Sequence, residues 1–284
     1  MKNRELIKDV TSGIEREFYH KEHVNFQNIK IDGVEDGESA FKECRYIEVV
    51  DSYFNLRYPF WHCYDIVLKD VVATENCRAA FWYCRDIYVK NMMSKGVKAF
   101  RECHDILMLD SDFESDEIGW RCEVFSINNS KITAKYAFFE SKRLSIDNIK
   151  FSGKYSFQYI EDSVIVNSYL DTKDAFWHAK NIIVKDSTII GEYLGWYSEN
   201  LTLVNCHIKG TQPLCYCKNL KLINCTMEDC DLAFEYSEVE GNINNDVISI
   251  KNPIKGKLEV NSLGEFIQDE NSRDEGFVLT INKK

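Results

Sequence analysis

The sequence has 284 residues, 44% of them hydrophobic, with thirteen glycines and three prolines, so it can bury a substantial core and is neither disordered nor linker-rich. Its formal charge of −11 repels phosphate backbones and anionic bilayers, which argues against nucleic acid and membrane as partners. No apolar run reaches a bilayer span and the first thirty residues hold no signal-peptide core. The eleven cysteines, odd in number, are therefore expected to be reduced thiols of a cytoplasmic protein.

Residues 1–23 place Leu6, Ile7, Val10, Ile14 and Phe18 at roughly helical spacing and predict an amphipathic helix as an N-terminal cap. From residue 24 to 245 the chain repeats itself. An anchor recurs at Phe41, Phe60, Phe81, Phe100, Gly119, Phe138, Phe157, Phe176, Gly195, Leu214 and Ala233, with nine intervals of 19 residues and one of 21. The longer interval predicts a small loop near Glu75 and Asn76. Six and eight residues after the anchor stand aliphatic columns, Ile47 and Val49 in the first coil, Ile182 and Val184 in a later one. That is strand alternation. Ten after the anchor the first ten coils have Asp or Asn, from Asp51 and Asp70 through Asn205 to Asn224. Such residues suit a left-handed bend, or an inward amide ladder. Thirteen after comes another apolar column, including Phe54, Phe113, Leu170 and Met227. Cys44, Cys63, Cys84, Cys103, Cys122 and Cys217 share a small-residue column with Ser141, Ala179 and Ser198, so thiol packing is expected rather than disulfides or zinc.

Nineteen residues leave no room for a crossover helix. A chain that advances one strand spacing per coil, about 4.8 Å, satisfies every column. The predicted fold is all-β: a single-stranded right-handed parallel β-helix of about eleven coils. The alternative is a leucine-rich-repeat horseshoe, whose asparagine sits one residue later than here. Residues 246–284 lose the period and predict a C-terminal cap of strands and loops. The whole chain, 1–284, reads as one domain.

The second half also resembles a known family. The runs Ala175-Phe176-Trp177, Ile190-Gly191-Glu192-Tyr193-Leu194-Gly195-Trp196, Leu214-Cys215-Tyr216, Ala233-Phe234-Glu235-Tyr236-Ser237, Asn252-Pro253-Ile254 and Ser262-Leu263-Gly264-Glu265 carry the likeness. It is to domain of unknown function family 3737, grouped with the pectin-lyase-like β-helices. The resemblance covers about residues 30–270. It implies the same fold and a cytoplasmic bacterial setting, and brings no catalytic residues.

Candidate chemistry lies beside the anchor. All five tryptophans, Trp61, Trp82, Trp120, Trp177 and Trp196, occupy the next position. The column after them is polar or amphipathic throughout. One group there is His178, Tyr197, Tyr216 and Glu235, flanked by Trp177, Trp196, Asp174 and Glu192. Glu235 or Glu192 would serve as acid or base, His178 as proton shuttle, and the rings and Asp174 as substrate contacts. A second patch is Glu102, Arg121 and Glu140 in successive coils, its carboxylates about 10 Å apart by coil spacing. A surface ion ladder would look the same. No phosphate loop, metal motif or cofactor signature occurs. Two functions remain open. One is a carbohydrate-active hydrolase or lyase acting on an oligosaccharide. The other is a non-catalytic glycan-binding, interaction or oligomerisation scaffold, including a homo-oligomer.

Overall fold

The computed structural model describes residues 4–33 and 38–282. The chain divides into two compact units between Ser145 and Ile146. Each is a parallel β-solenoid, and the described residues make about fourteen turns of about 19 residues. They contain no helix, which removes the horseshoe and leaves none long and apolar enough to cross a membrane.

In the first unit, strand Arg45–Asn55 lies beside Tyr64–Ala73, with Ile47 opposite Ile66 and Val49 opposite Leu68. Strand His104–Leu109 lies beside Glu123–Asn128 in the same manner. In the second unit Glu161–Val166, Lys180–Lys185 and Glu199–Val204 stack with Ile165, Val184 and Leu203 in line. The aliphatic columns are buried, and so is the column of Phe54, Phe113, Leu170 and Met227. Each such side chain contributes at most about 1.5–3 kcal/mol of burial. The anchor phenylalanines form ring stacks. Phe41, Phe60, Phe81 and Phe100 follow one another at 5.0, 5.2 and 4.5 Å in the first unit, and Phe157 and Phe176 at 5.2 Å in the second.

The Asp/Asn column forms the bend. All ten residues from Asp51 to Asn224 have φ between 49° and 55° and face solvent, so the inward ladder is excluded. Side-chain amides still link coils, as where Asn205 Nδ2 donates to Asp186 Oδ1 at 2.7 Å. A second left-handed column, five after the anchor, escaped the sequence reading. Its Asp162, Asn181, Asn200 and Asn219 join in one chain of amide bonds of 2.7–2.8 Å.

The thiol column has a hydrogen-bonding reason. Cys63 Sγ donates to the Phe41 carbonyl at 2.8 Å, Cys122 to Phe100 at 3.1 Å and Cys217 to Gly195 at 3.2 Å. Ser237 Oγ donates to the Leu214 carbonyl in the same way, at 2.7 Å. A small side chain with one proton fits there, whether S–H or O–H.

Three expectations change. The N-terminal helical cap does not form. Strand Glu5–Lys8 pairs with Val24–Gln27, Leu6 and Ile14 are exposed, and Phe18 is a buried anchor 5.1 Å from Phe41. An existing strand edge outcompetes weak helical periodicity, and a coil of 23 residues, Asn25 opposite Glu48, hid the anchor. There are about fourteen turns rather than eleven. Residues 246–282 continue the parallel stack at altered period. Glu238 faces Lys255, and Gly256 faces Phe277. The predicted two-residue insertion does fall at the exposed turn of Glu75 and Asn76.

All eleven cysteines are free and buried. Burial pushes the thiols of Cys44, Cys206 and Cys230 up to about 12. An aromatic disulfide reagent at pH 8 should titrate almost none of them in the native protein and all eleven in denaturant. Rapid reaction of several native thiols would contradict this packing.

Candidate functional site

The column two residues after the anchor forms an outer stripe, left-handed in every coil from Glu43 to Tyr236. Strand alternation is broken at this corner, so the tryptophan column beside it is half-buried while His62, Tyr83, His178 and Tyr197 are exposed. In the second unit the stripe is a pile of rings. Tyr159–His178, His178–Tyr197 and Tyr197–Tyr216 lie 4.9, 5.0 and 4.6 Å apart with planes within 11°. Trp177 and Trp196 stack beside them at 5.4 Å. Each ring's faces meet its neighbours and its edge meets solvent. A sugar ring needs a free face, so this stripe is stabilising and a poor platform.

The predicted catalytic residues are not brought together. A one-residue insertion makes Phe234, not Ala233, the last anchor, since Tyr216 N donates to the Glu235 carbonyl as His178 N does to Trp196. Glu235 therefore belongs to the tryptophan column, and Tyr236 continues the stripe. Three coils, about 14 Å by coil spacing, separate Glu235 from His178. Glu235 instead pairs with Lys251 Nζ at 2.8 Å, and Glu192 with Lys173 Nζ at 2.6 Å. Asp174 is buried and its carboxyl pKa is raised, chiefly by that burial. In the other patch Arg121 Nε lies 2.7 Å from Glu140 Oε2, both half-exposed, and this hydrogen bond and the charge of nearby Glu102 raise the guanidinium pKa. That is the surface ion ladder, which adds little stability. Among the described residues no group of His, Cys, Asp and Glu has metal-binding geometry.

A different group is assembled in the first unit. A groove of about 510 Å³ is lined by Arg45, Tyr46, His62, Cys63, Tyr64, Tyr83 and Arg85. Among the described residues neither Arg45 nor Arg85 forms an ion pair, and both are exposed. Tyr46 stacks flat on His23 at 4.7 Å and meets Tyr64 at an interplanar angle of 78°, so Tyr64 stands out of the parallel ring stack. The Tyr64 phenol donates a hydrogen bond to the Asp86 carboxylate, which raises the phenol pKa. His62 stacks on Tyr83 at 5.1 Å. The signal was present in the sequence: Arg45, Tyr64 and Arg85 share the column four after the anchor, which no apolar pattern marks.

The tryptophans differ in one respect. Trp120, Trp177 and Trp196 donate their indole N–H to the carbonyls of Tyr136, Tyr193 and Gln212 at 2.7–2.9 Å. Trp61 and Trp82 Nε1 are buried without an acceptor. An unpartnered buried donor costs about 1–3 kcal/mol. Trp82→Phe should therefore destabilise less than Trp177→Phe by about 2 kcal/mol in urea unfolding. Equal losses would show that the two indoles are equally satisfied. Asp174→Asn should raise stability at pH 7, because an aspartate whose folded pKa is raised loses stability on ionising. The gain should vanish below the ordinary value of 3.8. A gain unchanged across that range would point to some cause other than charge.

No curated protein matches the chain. Solved structures with similar coils include a surface adhesin of Streptococcus pneumoniae, PfbA, at 10% identity and TM-score 0.39, covering 88% of this chain and 86% of that one. The catalytic domain of a GH87 α-1,3-glucanase in complex with nigerose follows at 12% identity and TM-score 0.38, covering 98% and 64%. The tailspike of E. coli bacteriophage HK620 in complex with hexasaccharide follows at 8% identity and TM-score 0.39, covering 93% and 66%. The chain thus spans just under two thirds of the length of the glucanase domain and of the tailspike. At such scores these likenesses assign no activity and no residue role. The family match is of another order: residues 5–280 match the family described as protein of unknown function DUF3737, and the chain belongs to it.

Proposed function

We propose that this protein recognises an acidic oligosaccharide in the groove of its first unit. The observation that carries this reading is the pair of guanidiniums, Arg45 and Arg85, without an ion pair among the described residues and lining one groove with His62 and three tyrosines. Guanidinium forks match carboxylates. The Tyr64 face suits a sugar ring, and the phenols and imidazole suit hydroxyls. Two such cations attract an anion even though the whole chain carries −11. The buried free thiols support a reducing compartment, and the cytoplasm is part of this proposal.

A second reading is favoured by the chemistry of the same lining. No carboxylate lines the groove, so paired-carboxylate hydrolysis lacks its residues. β-Elimination of a uronate has them. An arginine would neutralise the sugar carboxylate and acidify the neighbouring C–H, and His62 would take that proton. Its electron pair would form the C=C bond as the glycosidic C–O bond breaks, with Tyr83 protonating the departing oxygen.

Calorimetry with uronate oligosaccharides against neutral ones of equal length tests recognition. Only the acidic series should bind, and Arg45→Ala or Arg85→Ala should weaken it at least tenfold, about 1.4 kcal/mol. Equal binding of neutral and acidic sugars would sink the proposal. Ultraviolet absorbance of the unsaturated product separates the two readings: turnover lost in His62→Ala marks elimination, and binding without absorbance change marks a recognition module.

A further inference from the structure

On the first unit, beyond the tryptophan column, lies a second cavity of about 150 Å³ lined by Tyr58, Arg78, Ala79, Trp82, Lys98 and Arg101. It is distinct from the oligosaccharide groove, although Trp82 lines one and its neighbour Tyr83 the other. Glu117 Oε2 lies 3.3 Å from Lys98 Nζ and 3.2 Å from Arg101 Nη1. One carboxylate thus serves two cations. Arg78 is exposed and forms no ion pair among the described residues. Three cations against one carboxylate leave two positive charges without a partner among the described residues around a small cavity, in a chain whose total is −11. The side chains of Lys98 and Arg101 are only 26% and 19% exposed, so their charges act in a partly dry setting. The rings of Tyr58 and Trp82, 5.8 Å apart, form an apolar wall.

We infer that this cavity binds a phosphate dianion, free or as a phosphomonoester. Two uncompensated charges match a dianion, whereas a single carboxylate would leave one unmet. Arginine and lysine together supply the fork and the point charge that tetrahedral oxyanions take. The volume holds one such group and excludes a sugar ring chain. Exposed Arg78 marks the side by which the anion enters, and by which an ester would leave the cavity.

The five indole N–H signals of the full chain in a proton–nitrogen correlation spectrum, with Trp82→Phe to assign one, provide the test. Titration with inorganic phosphate, against acetate and chloride at constant ionic strength, should move the Trp82 signal saturably for phosphate alone. Arg78→Ala should weaken that binding at least tenfold with an unchanged melting temperature. Arg45→Ala, in the oligosaccharide groove, should leave it intact, so the two sites stand or fall separately. The proposal is overturned by the absence of a saturable shift, by acetate matching phosphate, or by unchanged affinity in both Arg78→Ala and Lys98→Ala. Glycerol phosphate then names the source. Binding as tight as inorganic phosphate identifies an ester site, and exclusion identifies a site for the free ion; both support the dianion.

Discussion

Everything in this molecule depends on each coil rising by one interstrand spacing and no more. A chain can close a 19-residue turn on itself only if it bends sharply several times, and the bends are left-handed residues. Asp174, Phe176, His178, Asn181 and Asp186 show all five in one coil, with φ from 51° to 60°. Asn and Asp accept that conformation readily, but for other side chains it costs about 1–2 kcal/mol. Phenylalanine, histidine and tyrosine at these corners are held there by stacking on their copies above and below. A ring pair contributes about 0.5–1.5 kcal/mol beyond burial. Strain at the corners and ladders along the axis are two aspects of one arrangement.

The same stacking consumes side-chain chemistry. Where a column repeats a residue type, its members satisfy one another. Amides bond amides, rings cover rings, and Glu140 holds Arg121. The outer ring stripe of the second unit looks reactive in one dimension and is saturated in three. Unmet chemistry survives where a column changes character from coil to coil. Arg45, Tyr64 and Arg85 alternate in one column, and neither guanidinium pairs with a carboxylate among the described residues. Lys98 and Arg101 share one glutamate, while Arg78 has no ion pair among the described residues. Both candidate sites lie in the first unit, around the coil with the two-residue insertion, where Trp61 and Trp82 also lack the indole acceptors found in other coils. Irregularity in a repeat leaves polar groups that the ladder would otherwise satisfy.

Recognising the coil required only a period. Columns of Phe, Ile, Val, Cys and Asx at a fixed interval determined a parallel β-solenoid, its buried faces and its principal bend, because each coil must meet the same surroundings as the last. Coils of other lengths were illegible for the same reason. The 23-residue coil concealed Phe18, the one-residue insertion moved Glu235 into the wrong column, and shortened spacing disguised the last strands as a cap. The candidate sites were less legible still. A column names which residues stack. It does not say whether a ring shows its face or its edge, or whether a charge has already been met. Those depend on torsion angles and on partners from other columns, such as Lys251 for Glu235 and Asp86 for Tyr64. The repeat is legible in residue spacing alone, because periodicity is local and every coil obeys it. Which polar groups remain free is settled between coils, by distances of a few ångströms that no spacing along the chain records.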